Sequence, residues 1–234
     1  MLATRIIPTI LSKNGQLVKG IGFKADRVVG NAMQAARVHA MRGVDELVLL
    51  DVTATKEGRE PDYEMVRRLS EGCFSPLTVG GGIKNYRHVE KLLRAGADKV
   101  SINYSKSEIV DRLSERFGRQ CITISLDIKK TYSTNFIAAM ADALELSGAG
   151  EILLQSVDDD GSMLGYDLGM IKTVSEAVSI PVVASGGCSG YEDMRNAIKA
   201  GASAVAAGAL FQFTDCTPKG AAEYLSAKGI EVRL

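Results

Sequence analysis

No pair of cysteines in this chain is spaced for a metal knuckle or a local disulfide. Cys73, Cys121, Cys188 and Cys216 are scattered without a C-x-x-C pattern, so neither a zinc site nor a disulfide frame is indicated, and reduced, buried thiols are expected. Excess charge is also missing. The 28 Lys and Arg residues balance 28 Asp and Glu, which argues against nucleic acid or an anionic membrane as the main partner. No apolar run approaches the roughly 20 residues that span a bilayer. The start, MLATRIIPTI, lacks the basic region, apolar core and small-residue cleavage site of a signal peptide, so a cytoplasmic location is expected. Histidine is scarce, and His39 and His88 both fall in helical patterns away from strand ends; histidine catalysis is not expected. Asp158, Asp159 and Asp160 are consecutive. Three such carboxylates in extended chain cannot all face one ion, so a solvated loop with one functional member is expected there, with no metal and no cofactor.

What the chain does have is internal repetition. Leu77 to Gly80 is a short apolar run that breaks into Gly80, Gly81 and Gly82, and Val182 to Ser185 runs into Gly186 and Gly187 in the same way, 105 residues later. The same spacing relates Glu46 to Glu151, within Gly43–Leu50 and Gly148–Gln155, and Ala95–Val100 to Ala200–Val205. Three separated matches at one offset indicate two homologous halves, about 1–117 and 118–234, of one domain spanning 1–234.

Apolar runs predict strands at Arg5–Leu11, Glu46–Asp51, Leu77–Gly80, Lys99–Ile102, Ile122–Asp127, Glu151–Ser156, Val182–Ser185 and Ala204–Ala207. They read as continuous apolar segments, as in a parallel sheet buried on both faces. A loop holding Lys13, Asn14, Gly15 and Lys19 is expected after the first. Helical patterns follow near Asn31–Arg42, Tyr63–Leu69, Tyr86–Ala95, Glu108–Phe117, Ala138–Leu146, Gly169–Val178, Glu192–Ala200 and Gly220–Lys228. Eight strand and helix pairs with a twofold repeat predict a (β/α)8 TIM barrel. A doubly wound open sheet is the alternative, but it leaves the matching glycine-rich strand ends unexplained.

In such a barrel chemistry sits where strands run into helices. Gly80, Gly81 and Gly82, with Ser101, Asn103 and Tyr104 from the next strand end, form one candidate anion cup, because glycines let backbone N–H groups approach a phosphate. Gly186 and Gly187, with Gly208 and Ala209, form the second, after strands seven and eight. Any one glycine pair alone reads as a tight turn; two symmetry-related cups suit a substrate with two phosphates, or one phosphate and a sugar. Aligning Ile6–Lys13 with Ile122–Lys129 pairs Leu11 with Asp127. Asp127 is the candidate general acid or base, the plain alternative being a rim ion pair with Lys129 or Lys130.

Several segments, LVKG at Leu17–Gly20, DELVLLDVTA at Asp45–Ala54, TVGGGI at Thr78–Ile83, GADKVSIN at Gly96–Asn103, GAGEILLQSVDDDG at Gly148–Gly161, GYD at Gly165–Asp167, ASGG at Ala184–Gly187 and the opening MLATRIIP, give the chain a resemblance that runs nearly end to end. It resembles the cyclase subunit of imidazole glycerol phosphate synthase, the barrel half of a glutamine amidotransferase in histidine biosynthesis. The resemblance implies a barrel of the histidine-biosynthesis and phosphoribosyl-anthranilate type, in which ammonia from a glutaminase docked at the base as a heterodimer partner crosses the core to a phosphorylated substrate at the mouth. It implies Asp127 as the acid or base, Lys19 and Asp51 at the mouth, Gly82 and Asn103 on one phosphate, and Asp160, Gly161, Gly187 and Gly208 near the other. It also implies an ammonia gate of Arg5, Glu46, Lys99 and Glu151. Those four have a logic of their own. Two cations against two anions at strand starts can close into a ring of ion pairs, the alternative being outward surface salt bridges.

This sequence departs from the family at specific positions. Leu11 stands where the first catalytic aspartate is expected, Tyr104 replaces a small hydroxyl residue, Ala209 replaces a serine and Gln155 a threonine, and only 23 residues separate Asp127 from Glu151. Leucine cannot move a proton. Three readings follow: an amidotransferase synthase subunit, acting on the histidine-pathway substrate or on another acceptor such as a nucleotide sugar; a stand-alone phosphosugar isomerase, which would want a carboxylate at Leu11 and no gate charges; and a non-enzymatic barrel that activates a glutaminase.

Overall fold

The structure, a computed structural model, describes residues 3–24 and 27–234; the first two residues of the MLATRIIP segment lie outside them. Among the described residues ten strands are present: β1 (Arg5–Lys13), β2 (Gln16–Lys19), β3 (Arg27–Asn31), β4 (Leu47–Asp51), β5 (Leu77–Gly80), β6 (Lys99–Asn103), β7 (Ile122–Ile128), β8 (Glu151–Ser156), β9 (Val182–Ser185) and β10 (Ala204–Ala207). Eight of them run parallel in the order β1, β4, β5, β6, β7, β8, β9, β10. The ring closes where β10 pairs with β1, from Arg5 opposite Ala204 to Pro8 opposite Ala207. Closure excludes the open sheet and gives the (β/α)8 barrel that the apolar runs predict.

The apolar runs are continuous because each strand buries both faces. Ile6, Ile10, Leu47, Leu49, Val79, Val100, Ile102, Ile124 and Ile152 pack outward against the helices. Ile7, Val48, Leu153, Val183, Ala204 and Ala206 point inward and fill the bore, the packed interior that such barrels have in place of a pore. The helices are α1 (Ala32–Met41), α2 (Tyr63–Ser70), α3 (Tyr86–Arg94), α4 (Val110–Phe117), α5 (Thr134–Leu146), α6 (Leu168–Ala177), α7 (Tyr191–Lys199), α8 (Ala209–Phe213) and α9 (Pro218–Ala227). Several start where a side chain satisfies an otherwise orphan N–H: Asn31, Asp62, Ser133, Asp167 and Thr217 each accept from the backbone N–H three residues on. None among the described residues is long and apolar enough to cross a membrane.

The repeat is visible in the hydrogen bonding. Leu47 N–H donates to Pro76 O at 2.8 Å and Ile152 N–H to Pro181 O at 3.0 Å; Asp98 N–H donates to Leu77 O and Ser203 N–H to Val182 O, at 2.9 and 2.8 Å. Two features differ from expectation. The loop after β1 is a hairpin, with β2 antiparallel to the tip of β1 and β3 antiparallel to β2. Asn14 (φ 49°) and Gly15 (φ 76°) form its turn, the left-handed pair that a two-residue hairpin demands. The five-residue α8, before α9, is the other addition. The cysteines are free, but only Cys188 is buried, under the turn that follows β9; Cys73, Cys121 and Cys216, in connections at the helical surface, are partly exposed.

At the base of the barrel Arg5, Glu46, Lys99 and Glu151 close into one ring, and they do not form outward surface pairs. The Arg5 guanidinium donates to both Glu46 and Glu151, and Lys99 Nζ lies 3.0 Å from Glu46 and 3.1 Å from Glu151. Thr78 and Thr123 hydroxyls donate to the same two carboxylates. Glu46 is only 2% exposed, and these donors stand in for the water its carboxylate has lost. Burial alone would raise the Glu151 carboxyl, but the charges and hydrogen bonds of Arg5 and Lys99 hold it below its ordinary value.

Removing one cation leaves two buried carboxylates sharing the other. Arg5→Met is therefore expected to cost about 3 kcal/mol of unfolding free energy, read from urea denaturation. Glu151, with its folded value depressed, stabilises the protein above its unfolded value of about 4.5, and that contribution disappears as pH falls through the folded value. An acid titration of Arg5→Met should show a weaker acid-induced loss in that window than the unmodified chain.

Candidate active site at the barrel mouth

The C-terminal ends of the parallel strands surround a cavity of about 650 Å³, a size suited to a small phosphorylated molecule. Both glycine cups open into it: Gly81, Gly82, Ser101 and Asn103 on one side, Gly186, Gly187, Gly208 and Ala209 on the other. Lys19, Asp51, Asp127, Gln155, Asp160 and Gly161 line it as well. The charged ring of Arg5, Glu46, Lys99 and Glu151 lies at the opposite end, with the apolar bore between. Tyr104 is not part of the mouth wall; it is half-buried and packs against the core.

Asp127 is not a rim ion pair. Its Oδ1 accepts from Ser125 Oγ at 2.7 Å and Gln155 Nε2 at 3.1 Å, and its Oδ2 from Asn103 Nδ2 at 2.6 Å. Lys130 pairs instead with Asp159 at 2.6 Å. Alternation along β7 places Ser125 and Asp127 on the inner face, and Gln155 stands level with Asp127 in the β7 and β8 register. Burial pushes the carboxyl above its ordinary value, while the three donors pull it back. The result is an oriented carboxylate with a raised proton affinity, suited to taking and returning a proton. The amide of Asn103 is consequently committed to Asp127 and, through Oδ1, to Ser105 N–H at 3.1 Å, so its side chain does not point free into the first cup.

The first cup is built by close backbone packing. Gly81 has φ +104°, and a Cβ there would lie 2.2 Å from Asp51 O, so only glycine lets β5 turn past the end of β4. Asp51 organises that neighbouring loop, accepting from Thr53 N–H and Ala54 N–H at 3.0 Å and pairing with Arg59 at 3.1 Å. Gly82 N–H is held by Thr55 Oγ1 at 3.2 Å. Lys56, Lys84 and Lys106 add positive charge on this side.

The second cup contains the feature that the strand pattern could not supply. The hairpin brings Lys19, 5% exposed, into the mouth, where Nζ lies 3.4 Å from Thr9 O. A Cβ on Gly208 would meet that Nζ at 2.2 Å, so the glycine makes the space the ammonium occupies. Gly208 leads into α8, whose first N–H groups have no side-chain cap, which adds a partial positive charge beside the lysine. Burial pushes the Lys19 amine down to about 8, with Asp160 opposing the shift; burial in turn raises Asp160. The segment after β2 is tied to the Asp160 loop by Gly22 N–H donating to Asp160 O at 3.0 Å.

Sequence reasoning missed several wall residues. Ser125 and Ser185 lie two positions from or at strand ends already singled out, so period-2 alternation could have found them. Leu11, Phe23 and Met163 also line the mouth, the last two with φ of 62° and 53°. Cys188 lines it too, but burial pushes its thiol up to about 12, which leaves it unreactive. Of the consecutive aspartates, Asp159 is buried against Ser156 and Lys130, and Asp160 faces the cavity. Among the described residues no cluster of three His, Cys, Asp or Glu is placed to hold a metal ion.

Comparison with known proteins shows the family. Residues 5–217 match the histidine biosynthesis protein family. A Campylobacter jejuni protein provisionally named imidazole glycerol phosphate synthase subunit hisF2 is 42% identical over 248 aligned residues, covering all of both chains. Imidazole glycerol phosphate synthase subunit HisF is 43% identical in Streptomyces avermitilis, over 99% of both chains, and 41% identical in Dictyoglomus thermophilum, over 100% of both.

Two outcomes follow from the mouth. Lys19 has its folded value below its ordinary 10.5, so its charge carries a burial cost at pH 7 that is relieved as pH rises from about 8. Lys19→Met should raise the unfolding free energy at pH 7 by about 2 kcal/mol, less than the full burial cost because Asp160 loses its counter-charge, while weakening binding of inorganic phosphate at least tenfold by calorimetry. Gly81→Ala should destabilise the fold by roughly 2 kcal/mol or more through strain at positive φ, read as a lowered urea midpoint.

Proposed function

Because the chain belongs to the histidine biosynthesis protein family, we propose that it is the synthase subunit of a glutamine-dependent amidotransferase. A glutaminase partner docks at the barrel base and releases ammonia; the ring of Arg5, Glu46, Lys99 and Glu151 gates its entry, and the apolar bore leads it to the mouth. There a phosphate-bearing acceptor lies between the two glycine cups, and Asp127 exchanges protons with the reacting atoms. The observation that carries this reading is the sequence of environments along one axis: a closed charged ring, an apolar interior, then a buried carboxylate with three donors. An isomerase working alone has no use for the ring. A barrel that only activates a glutaminase has no use for the Asp127 network.

The acceptor best supported is the phosphoribosyl-bearing histidine precursor, since the relatives matched along essentially their full lengths are named for imidazole glycerol phosphate synthesis. Such synthesis belongs in the cytoplasm. One observation favours a second reading. Leu11 lines the mouth opposite Asp127 where the family resemblance places a second catalytic carboxylate, and a barrel so altered suits another phosphorylated acceptor such as a nucleotide sugar.

The test supplies the chain with ammonium salt, or with a cognate glutaminase and glutamine, and each acceptor in turn. Imidazole glycerol phosphate from the unmodified chain is the expected product, with Asp127→Asn lowering kcat by ~10² to 10⁴. Product only from a nucleotide sugar, or from the histidine precursor only after Leu11→Asp, selects the second reading. No ammonia-dependent product from any acceptor sinks the amidotransferase reading.

A further inference from the structure

With Leu11 at the end of β1, Asp127 has no carboxylate facing it, yet amination needs one group to accept a proton and another to give one. The barrel strands run in a ring in which β1 and β7 lie four strands apart in either direction, so the group opposite Asp127 must come from the β1 and β10 side. The inward positions there are Thr9, Leu11, Ala206 and Gly208, and none can titrate. Lys24 also lines the cavity but is exposed; the buried ionisable group on this side is Lys19, carried in by the hairpin and set against Thr9 O and the space above Gly208.

We propose that Lys19 is the proton donor of the reaction and Asp127 its proton acceptor, so that the pair spans the mouth as a cation and an anion and not as two carboxylates. The proposal rests on the amidotransferase reading and deepens it. Among the described residues Lys19 donates one hydrogen bond, to Thr9 O; an ammonium has three donors, so a molecule in the cavity can accept from it as well. As the ammonia lone pair forms a bond to an electrophilic carbonyl carbon of the acceptor, the displaced electron pair moves to oxygen, which takes a proton from Lys19. The new nitrogen centre, now positively charged, loses a proton to Asp127. Solvent at the mouth returns that proton to the amine, and the cycle is neutral in charge.

The surroundings suit the assignment. Among the described residues Asp160 on the β8 loop is the charged group acting on Lys19, and His39 on α1 is the titratable group that feels the charge of Lys19 from the other side. Burial, with the nearby charges of Arg42 and Lys19, pushes His39 down to about 4, so it stays neutral and leaves Asp160 as the counter-charge. Burial brings the Lys19 amine to about 8, close to working pH, where an amine is both protonated enough to donate and acidic enough to do so readily. An anion grip alone would be served as well by arginine, whose guanidinium binds phosphate but does not release a proton.

Two measurements decide between donor and grip. First, in the chain labelled with ¹³Cε-lysine, the resonance missing from Lys19→Arg should titrate with a midpoint near 8, and lower still in Asp160→Asn. A midpoint at the ordinary value for lysine overturns the proposal. Second, in ammonia-dependent turnover kcat should fall on the alkaline side with that same midpoint. Lys19→Arg should remove the alkaline limb and lower kcat about 100-fold with KM little changed. Unchanged kcat with a raised KM in Lys19→Arg overturns the proposal in favour of phosphate binding alone. The titration is read without any acceptor, so absence of turnover in the unmodified chain counts against the amidotransferase reading, while an ordinary lysine midpoint counts against the Lys19 assignment.

Discussion

The pairing of β10 with β1 is the constraint on which everything else depends. A parallel sheet of eight strands with that edge unpaired would present a row of open backbone groups and two separated faces; closed, it has one interior, one base and one mouth. Closure makes the two glycine-rich turns, 105 residues apart in the chain, neighbours around a single cavity. It also puts four charges from four different strands within reach of one another, although Arg5 and Glu151 are 146 residues apart.

Along the barrel axis the interior changes character in steps, and each step has a physical reason. At the base, charge is tolerated because every carboxylate meets a guanidinium, an ammonium and a threonine hydroxyl. In the middle, Ile7, Val48, Leu153 and Val183 carry no hydrogen-bonding side-chain atoms. At the mouth, polarity returns with Ser125, Gln155 and Asp127, which satisfy one another. The duplication is reflected unevenly in this arrangement. Glu46 and Glu151 are equivalent in the two halves, whereas Lys99 has Ala204 as its counterpart at the same offset. A matching pair of acids is neutralised by cations that do not match, as charge balance requires of a buried ring but symmetry does not.

Much of the fold was legible because the strands carry a strong signal: runs such as Ile152–Leu154 and Val182–Ala184 are apolar on both faces, and their ends fall at glycines. The resemblance to the imidazole glycerol phosphate synthase cyclase was legible from the same segments. The hairpin after β1 was missed although Asn14-Gly15 is a strong hairpin turn, because polar Gln16 and Lys19 flank only two apolar residues in β2 and the strand lacks a period to read. The short α8 was missed because five residues carry too little periodicity.

The sequence by itself determined the barrel, its repeat, the glycine cups and Asp127, because these depend on local propensity, apolar patterning and glycine's backbone freedom, all of which are properties of contiguous residues. Only the tertiary structure decided what surrounds them. That Asn103 serves Asp127 and not an open anion cup, that Lys130 pairs with Asp159, and that Lys19 is buried beside Gly208 and across the mouth from Asp127 depend on which side chains the closed ring forces into one volume of low polarity, where partners must be found inside the protein because water is excluded.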